Sequence, residues 1–88
     1  MAYFLVERFV PSLASQDVGA AVARLDEGGG DRPARHLWTA LIATEETCLS
    51  LFEAPDPEAV AEINRVAGFD FDRVVEASVF GPSSHADQ

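Results

Sequence analysis

Glu7, Cys48 and Glu76 carry the side chains best suited to chemistry in this 88-residue sequence. Two carboxylates brought close raise one pKa, which suits general acid/base work, and with a thiolate they suit a divalent ion. The competing reading is a solvated rim beside a small buried cysteine, which packs as a compact hydrophobe. Tyr3, His36, Trp38 and Phe52 form a second set, an imidazole beside an aromatic floor. Such a set walls a ligand pocket or an interface. Adjacent residues on a strand point to opposite faces, so Glu7 and Arg8 are not one ion pair. Glu7 is then an acid/base group or metal ligand, or else a rim charge or dimer salt bridge. No serine sits in a nucleophile elbow, which leaves a Ser/His/Asp triad unsupported. Gly28 to Gly30 follow a helix instead of opening one, so they are a connector and no phosphate loop.

Charge narrows the classes further. The chain has 15 acids, six arginines and no lysine, for a formal charge of −9. Nucleic acid and anionic membranes are disfavoured as partners, because phosphate affinity rests on Lys and Arg releasing counterions. Schiff-base chemistry and a P-loop both need the missing ammonium. One cysteine rules out an intrachain disulfide. The apolar start Tyr3 to Val6 is too short for a signal segment and no run of 18 apolar residues follows, so the expected location is the cytoplasm.

Six elements must position these residues. Residues 3–10 read as a strand closed by Pro11. A helix follows, with Ser15 as N-cap and a stripe of Val18, Ala21, Val22 and Leu25. Strands are expected over residues 34–42 and 47–53, joined by a turn at 43–46 where Glu45 and Glu46 stay solvated. Asp56-Pro57-Glu58 then starts a helix as N-cap, first helical residue and dipole partner, and Gly68 ends it. Residues 73–80 give a last strand. The order β-α-β-β-α-β predicts an α+β, ferredoxin-like plait, with four antiparallel strands and both helices on one face. Residues 1–80 form this domain and 81–88 a frayed tail.

Period two then sorts the faces. Phe4, Val6, Leu49, Leu51, Val75, Ala77 and Val79 are expected under the helices. Tyr3, Leu5, Glu7, His36, Trp38, Ala40, Cys48, Ser50, Phe52, Glu76 and Ser78 are expected on the open face. A face this apolar wants a partner, most simply a second copy about a two-fold axis.

Three stretches carry a family resemblance: Phe4 to Arg8, Cys48 to Val60, and Arg65 to Phe69 followed by Asp72 to Glu76. Together they resemble a group of small bacterial proteins of unknown function often labelled nickel-binding proteins. The resemblance implies a ferredoxin-like, dimer-forming protein, with Ni²⁺ as the cofactor. Where such proteins often carry histidine in the second helix, this chain has Asn64, and its histidines are His36 and His85. The resulting expectation is a homodimer binding a divalent metal, Ni²⁺ by resemblance, or a small molecule at the open face. Glu7, Cys48 and Glu76 are its candidate ligands, and Tyr3, Glu7, His36, Trp38, Phe52 and Glu76 its pocket. The alternatives are a cofactor-free dimeric α+β barrel enzyme, of oxygenase or isomerase type, and a purely structural interaction module.

Overall fold

A computed structural model describes residues 1–11, 15–28 and 32–81. The expected tail of residues 82–88, with His85, lies outside them, as does most of the glycine connector. The elements are β1 (Ala2–Phe9), α1 (Ser15–Gly28), β2 (Arg35–Ile42), β3 (Thr47–Ala54), α2 (Pro57–Ala67) and β4 (Arg73–Ala77). They build one antiparallel sheet of order β2-β3-β1-β4. The two helices pack on each other and against the sheet, as the ferredoxin-like expectation required. β4 ends at Ala77, three residues before the expected end.

Local chemistry explains the clearest boundaries. Asp56 caps α2, its carboxylate accepting from the Ala59 N–H at 2.9 Å, and Pro57 follows at the first turn. Gly68 ends α2 at φ 71°, a left-handed conformation that glycine adopts without a Cβ penalty. Its N–H and that of Phe69 return to the Arg65 and Asn64 carbonyls, both at 3.0 Å. A short 3₁₀ turn, Ala43–Glu45, joins β2 to β3, and Glu46 completes it at φ 50°.

The faces differ from period-two expectation on three strands. On β1 the prediction holds: Phe4, Val6 and Arg8 are buried under the helices, while Tyr3, Leu5 and Glu7 look the other way. Register carries this outward. Arg8 pairs with Cys48, Val6 with Ser50 and Phe4 with Phe52, so these three β3 residues lie in the core and not on the open face. Leu49 and Leu51 take the open face instead, opposite Glu7 and Leu5. On β4, Val75 lies across from Leu5 and Ala77 from Tyr3, which makes both open-face residues, and Glu76 moves to the helix side opposite Phe4. On β2 an irregularity between His36 and Trp38 shifts the register, so His36 and Thr39 share the helix side while Trp38 and Ala40 remain open. The physical reason is volume. Arg8 occupies the core face of β1, and the strand beside it must offer the small Cys48 and Ser50 there instead of two leucines.

Replacing Asp56 with alanine should cost about 1 kcal/mol, since the α2 N-terminus loses its side-chain acceptor. Thermal unfolding should then fall by about 4–8 °C for a domain of this size.

Candidate functional site

The structure disperses the two predicted clusters. Glu7 is on the open face, where Arg73 grips both carboxylate oxygens at 2.9 and 3.1 Å. The salt bridge it makes is within the chain, whereas the sequence offers one across a dimer. Cys48 lies on the opposite face, fully buried, and Glu76 lies on that same opposite face near the other end of β1. These three side chains therefore do not surround one ion. Of the aromatic set, Tyr3 and Trp38 share the open face, whereas His36 and Phe52 meet behind the sheet with ring centroids 5.4 Å apart. Among the described residues no group of three or more His, Cys, Asp and Glu side chains comes together.

What the sheet does assemble is a buried polar network centred on Arg8, which is 2% exposed. One guanidinium nitrogen donates to the Phe69 and Asp70 carbonyls at 3.2 and 3.3 Å. Another donates to Ser50 Oγ at 3.2 Å and Asn64 Oδ1 at 3.0 Å. The Asn64 amide then donates to the Val60 carbonyl at 2.8 Å, which fixes its orientation within α2. The guanidinium also stacks over the Phe69 ring at 3.7 Å. Burial lowers the Arg8 pKa to about 10, against the opposing fields of Cys48 and Asp72, so the group is charged at neutral pH. Burial raises the Cys48 thiol, and the nearby Arg8 charge only partly offsets this.

The network continues through hydroxyls to the edge strand. Ser50 Oγ lies 2.7 Å from Thr39 Oγ1, which lies 2.7 Å from His36 Nε2. His36 Nδ1 lies 2.9 Å from Asp26 Oδ1 on α1. Asp26, His36 and Thr39 thus have the connectivity of an acid–imidazole–hydroxyl array, but the hydroxyl is already engaged by Ser50. Sequence reasoning missed Arg8, Ser50, Thr39 and Asn64 as a unit. One signal was present: Arg8 continues the buried row of Phe4 and Val6 at period two.

Two surface clefts accompany this core. The larger, about 500 Å³, lies between the end of β1, one stripe of α1 and the turn after α2, with Phe9, Asp17, Arg24 and Asp70 on its walls. The smaller, about 210 Å³, is bounded by Glu7, Thr47, Asp72 and Arg73. Neither contains His36, Cys48 or Glu76.

Two outcomes follow from the burial of Arg8 and Cys48. Arg8→Lys should destabilise the fold by about 2–4 kcal/mol in urea unfolding, because an ammonium cannot reach acceptors on both sides of the planar fork. Cys48 should resist thiol reagents at neutral pH in the native protein and react at the ordinary rate once urea unfolds it.

Comparison with known proteins places this geometry. No curated protein matches the chain. The fold is shared with the crystal structure of SCO4226 from Streptomyces coelicolor A3(2), at a TM-score of 0.80 and 20% identity, covering 91% of this chain and 100% of that one. Residues 4–77 match the family described as nickel responsive protein SCO4226-like. That span is most of the chain, and the protein belongs to the SCO4226-like family.

Proposed function

We propose that this protein acts as a homodimer closed through the open faces of two sheets, binding a small ligand between them. The observation that carries the reading is the uncovered apolar surface. Leu5, Trp38, Ala40, Leu49 and Val75 lie at least partly exposed on the face opposite the helices, Trp38 being 46% exposed, while Leu51 on the same face is already buried. Charge supports a second copy as the occupant. Among the described strand residues the open-face charges are Glu7 with Arg73 and Glu53 with Arg35, two ion pairs at 2.9 and 2.8 Å that sum to zero. Two molecules of charge −9 can therefore meet on this face without bringing their excess acids together.

Nickel enters through the family name, and the described side chains fit it poorly. Nickel favours imidazole donors, whereas carboxylates suit Mg²⁺, Ca²⁺ and Mn²⁺ better. On the open face the donors are the Tyr3 phenol and the carboxylates of Glu7 and Glu53, each carboxylate held by an arginine. Both His36 nitrogens are engaged behind the sheet, and Cys48 is buried there in the core. We therefore read the chain as a ligand-binding dimer and not as a self-sufficient nickel carrier.

Sedimentation velocity tests the assembly. The wild type should sediment as a dimer, and Trp38→Asp as a monomer that keeps its far-ultraviolet circular dichroism. Arg73→Glu should weaken the dimer too, by turning a neutral face negative. An unchanged oligomer in both variants would sink the proposal. Calorimetry with Ni²⁺ on untagged protein should show no binding tighter than about 1 mM, equivalent to about 4 kcal/mol. A micromolar site would reverse the reading of the metal and leave that of the dimer intact.

A further inference from the structure

With a neutral imidazole the hydrogen bonds between Asp26 and Arg8 run in one direction, because the Asp26 carboxylate only accepts and so calls for the proton on His36 Nδ1. Arginine donates and never accepts, so Ser50 Oγ receives a proton from the Arg8 guanidinium. In the Ser50–Thr39 contact the Ser50 hydroxyl is the donor, because the single Thr39 proton is needed at His36 Nε2. Thr39 turns its own proton to the acceptor at its other side, His36 Nε2. The remaining imidazole proton therefore sits on Nδ1, where Asp26 Oδ1 accepts it. Each hydroxyl and the imidazole then donate once and accept once, while the Arg8 Nε–H behind them has no acceptor. That arrangement exists only for the neutral imidazole.

Protonation of His36 reverses one link. Nε2 then carries a proton that it must donate to Thr39 Oγ1, which already accepts from Ser50. One hydroxyl proton, that of Thr39 or of Ser50, then loses its acceptor inside the sheet–helix interface, and a second cation joins the network of the buried Arg8. The groups facing His36 leave this conflict in place. α1 presents Asp26, whose side chain is 61% exposed and so a weak counterion. β3 presents the Phe52 ring, and α2 contributes only the neutral Asn64 at the far end of the network. β1 contributes the like-charged Arg8, and the neighbouring Arg35–Glu53 pair belongs to the other face of the sheet.

We propose that the chain Arg8–Ser50–Thr39–His36–Asp26 is a pH-sensitive switch, closed when His36 is neutral and broken when it is protonated, which loosens the edge strand β2 from α1. Its location suits that role. β2 is an outer strand of the sheet, and His36 with Asp26 ties it to the helix that packs on it. The same strand carries Trp38 on the opposite face, two residues from His36 across the register irregularity. The switch itself depends only on the hydrogen bonds behind the sheet, so it stands or falls separately from the dimer.

Nuclear magnetic resonance on the full chain tests it. At about pH 7.5 the His36 nitrogen shifts should report the Nδ1–H tautomer. When the pH is lowered to about 5, amide protection factors at Leu37 to Leu41 should fall about tenfold as the imidazole protonates. Thr39→Val should have low protection at both pH values, and Thr39→Ser should restore the wild-type response. Asp26→Asn keeps an acceptor and removes the charge, so it should move the midpoint of the fall to lower pH. An Nε2–H tautomer in the wild type would overturn the proposal without any variant having to fold. So would an undiminished pH response in Thr39→Val.

Discussion

A guanidinium that makes no ion pair among the described residues, buried between sheet and helices, is the constraint on which the rest of this structure depends. Removing such a group from water costs several kcal/mol even after relaxation. Arg8 meets that cost with four neutral acceptors and an aromatic face. They come from β3, from α2 and from the turn beyond α2. The position of each element is thus tied to one side chain on β1. Gly68 matters in this setting because its left-handed turn reverses the chain after α2, so that Phe69 and Asp70 present their carbonyls and Phe69 its ring.

The same constraint sets the faces of the sheet. With Arg8 filling the core row of β1, β3 must present Cys48 and Ser50 beside it, and its two leucines are expelled to the far side. The apolar character of the open face is therefore partly a consequence of burying a charge on the other face. Phe52 and Val6 continue the core row, so the helices still rest on an apolar floor away from the arginine. The polar network and the open-face leucines are two results of one packing requirement.

How much of this was legible in the sequence differs by level. Element order and the limits of α2 were readable because Asp56, Pro57 and Gly68 act locally, through their own backbone geometry. The face of β3 was not, because both of its rows contain apolar residues and period two ranks them equally. The decision belonged to Arg8, a residue some forty positions away along the chain. His36 was misplaced for another reason: a register irregularity breaks the alternation that strand reading assumes. The Glu7, Cys48 and Glu76 cluster failed with β3 and β4, since turning a strand over sends every side chain on it to the other face. Leu5 and Tyr3 kept their expected face because the alternation of β1 is unbroken, and Trp38 kept its own because the irregularity lies before it.

The distribution of charge joins these levels. Three of the six arginines hold single carboxylates at the surface: Arg35 with Glu53, Arg65 with Glu62 and Arg73 with Glu7. Two others spend donors on neutral groups, Arg8 in the core and Arg24 on the Ala67 carbonyl at 2.7 Å. Arginine is thus used where shape and hydrogen-bond number matter, and the acidic excess remains on helices, turns and edges. Two of the surface pairs stand on the open face and none of the excess does among its described residues. A chain this acidic would repel its own copy at most contacts, at separations up to a Debye length of about 8 Å. Among the described residues the neutral apolar face is a broad surface where that repulsion is absent, so electrostatics and packing both support the side of the sheet proposed for assembly.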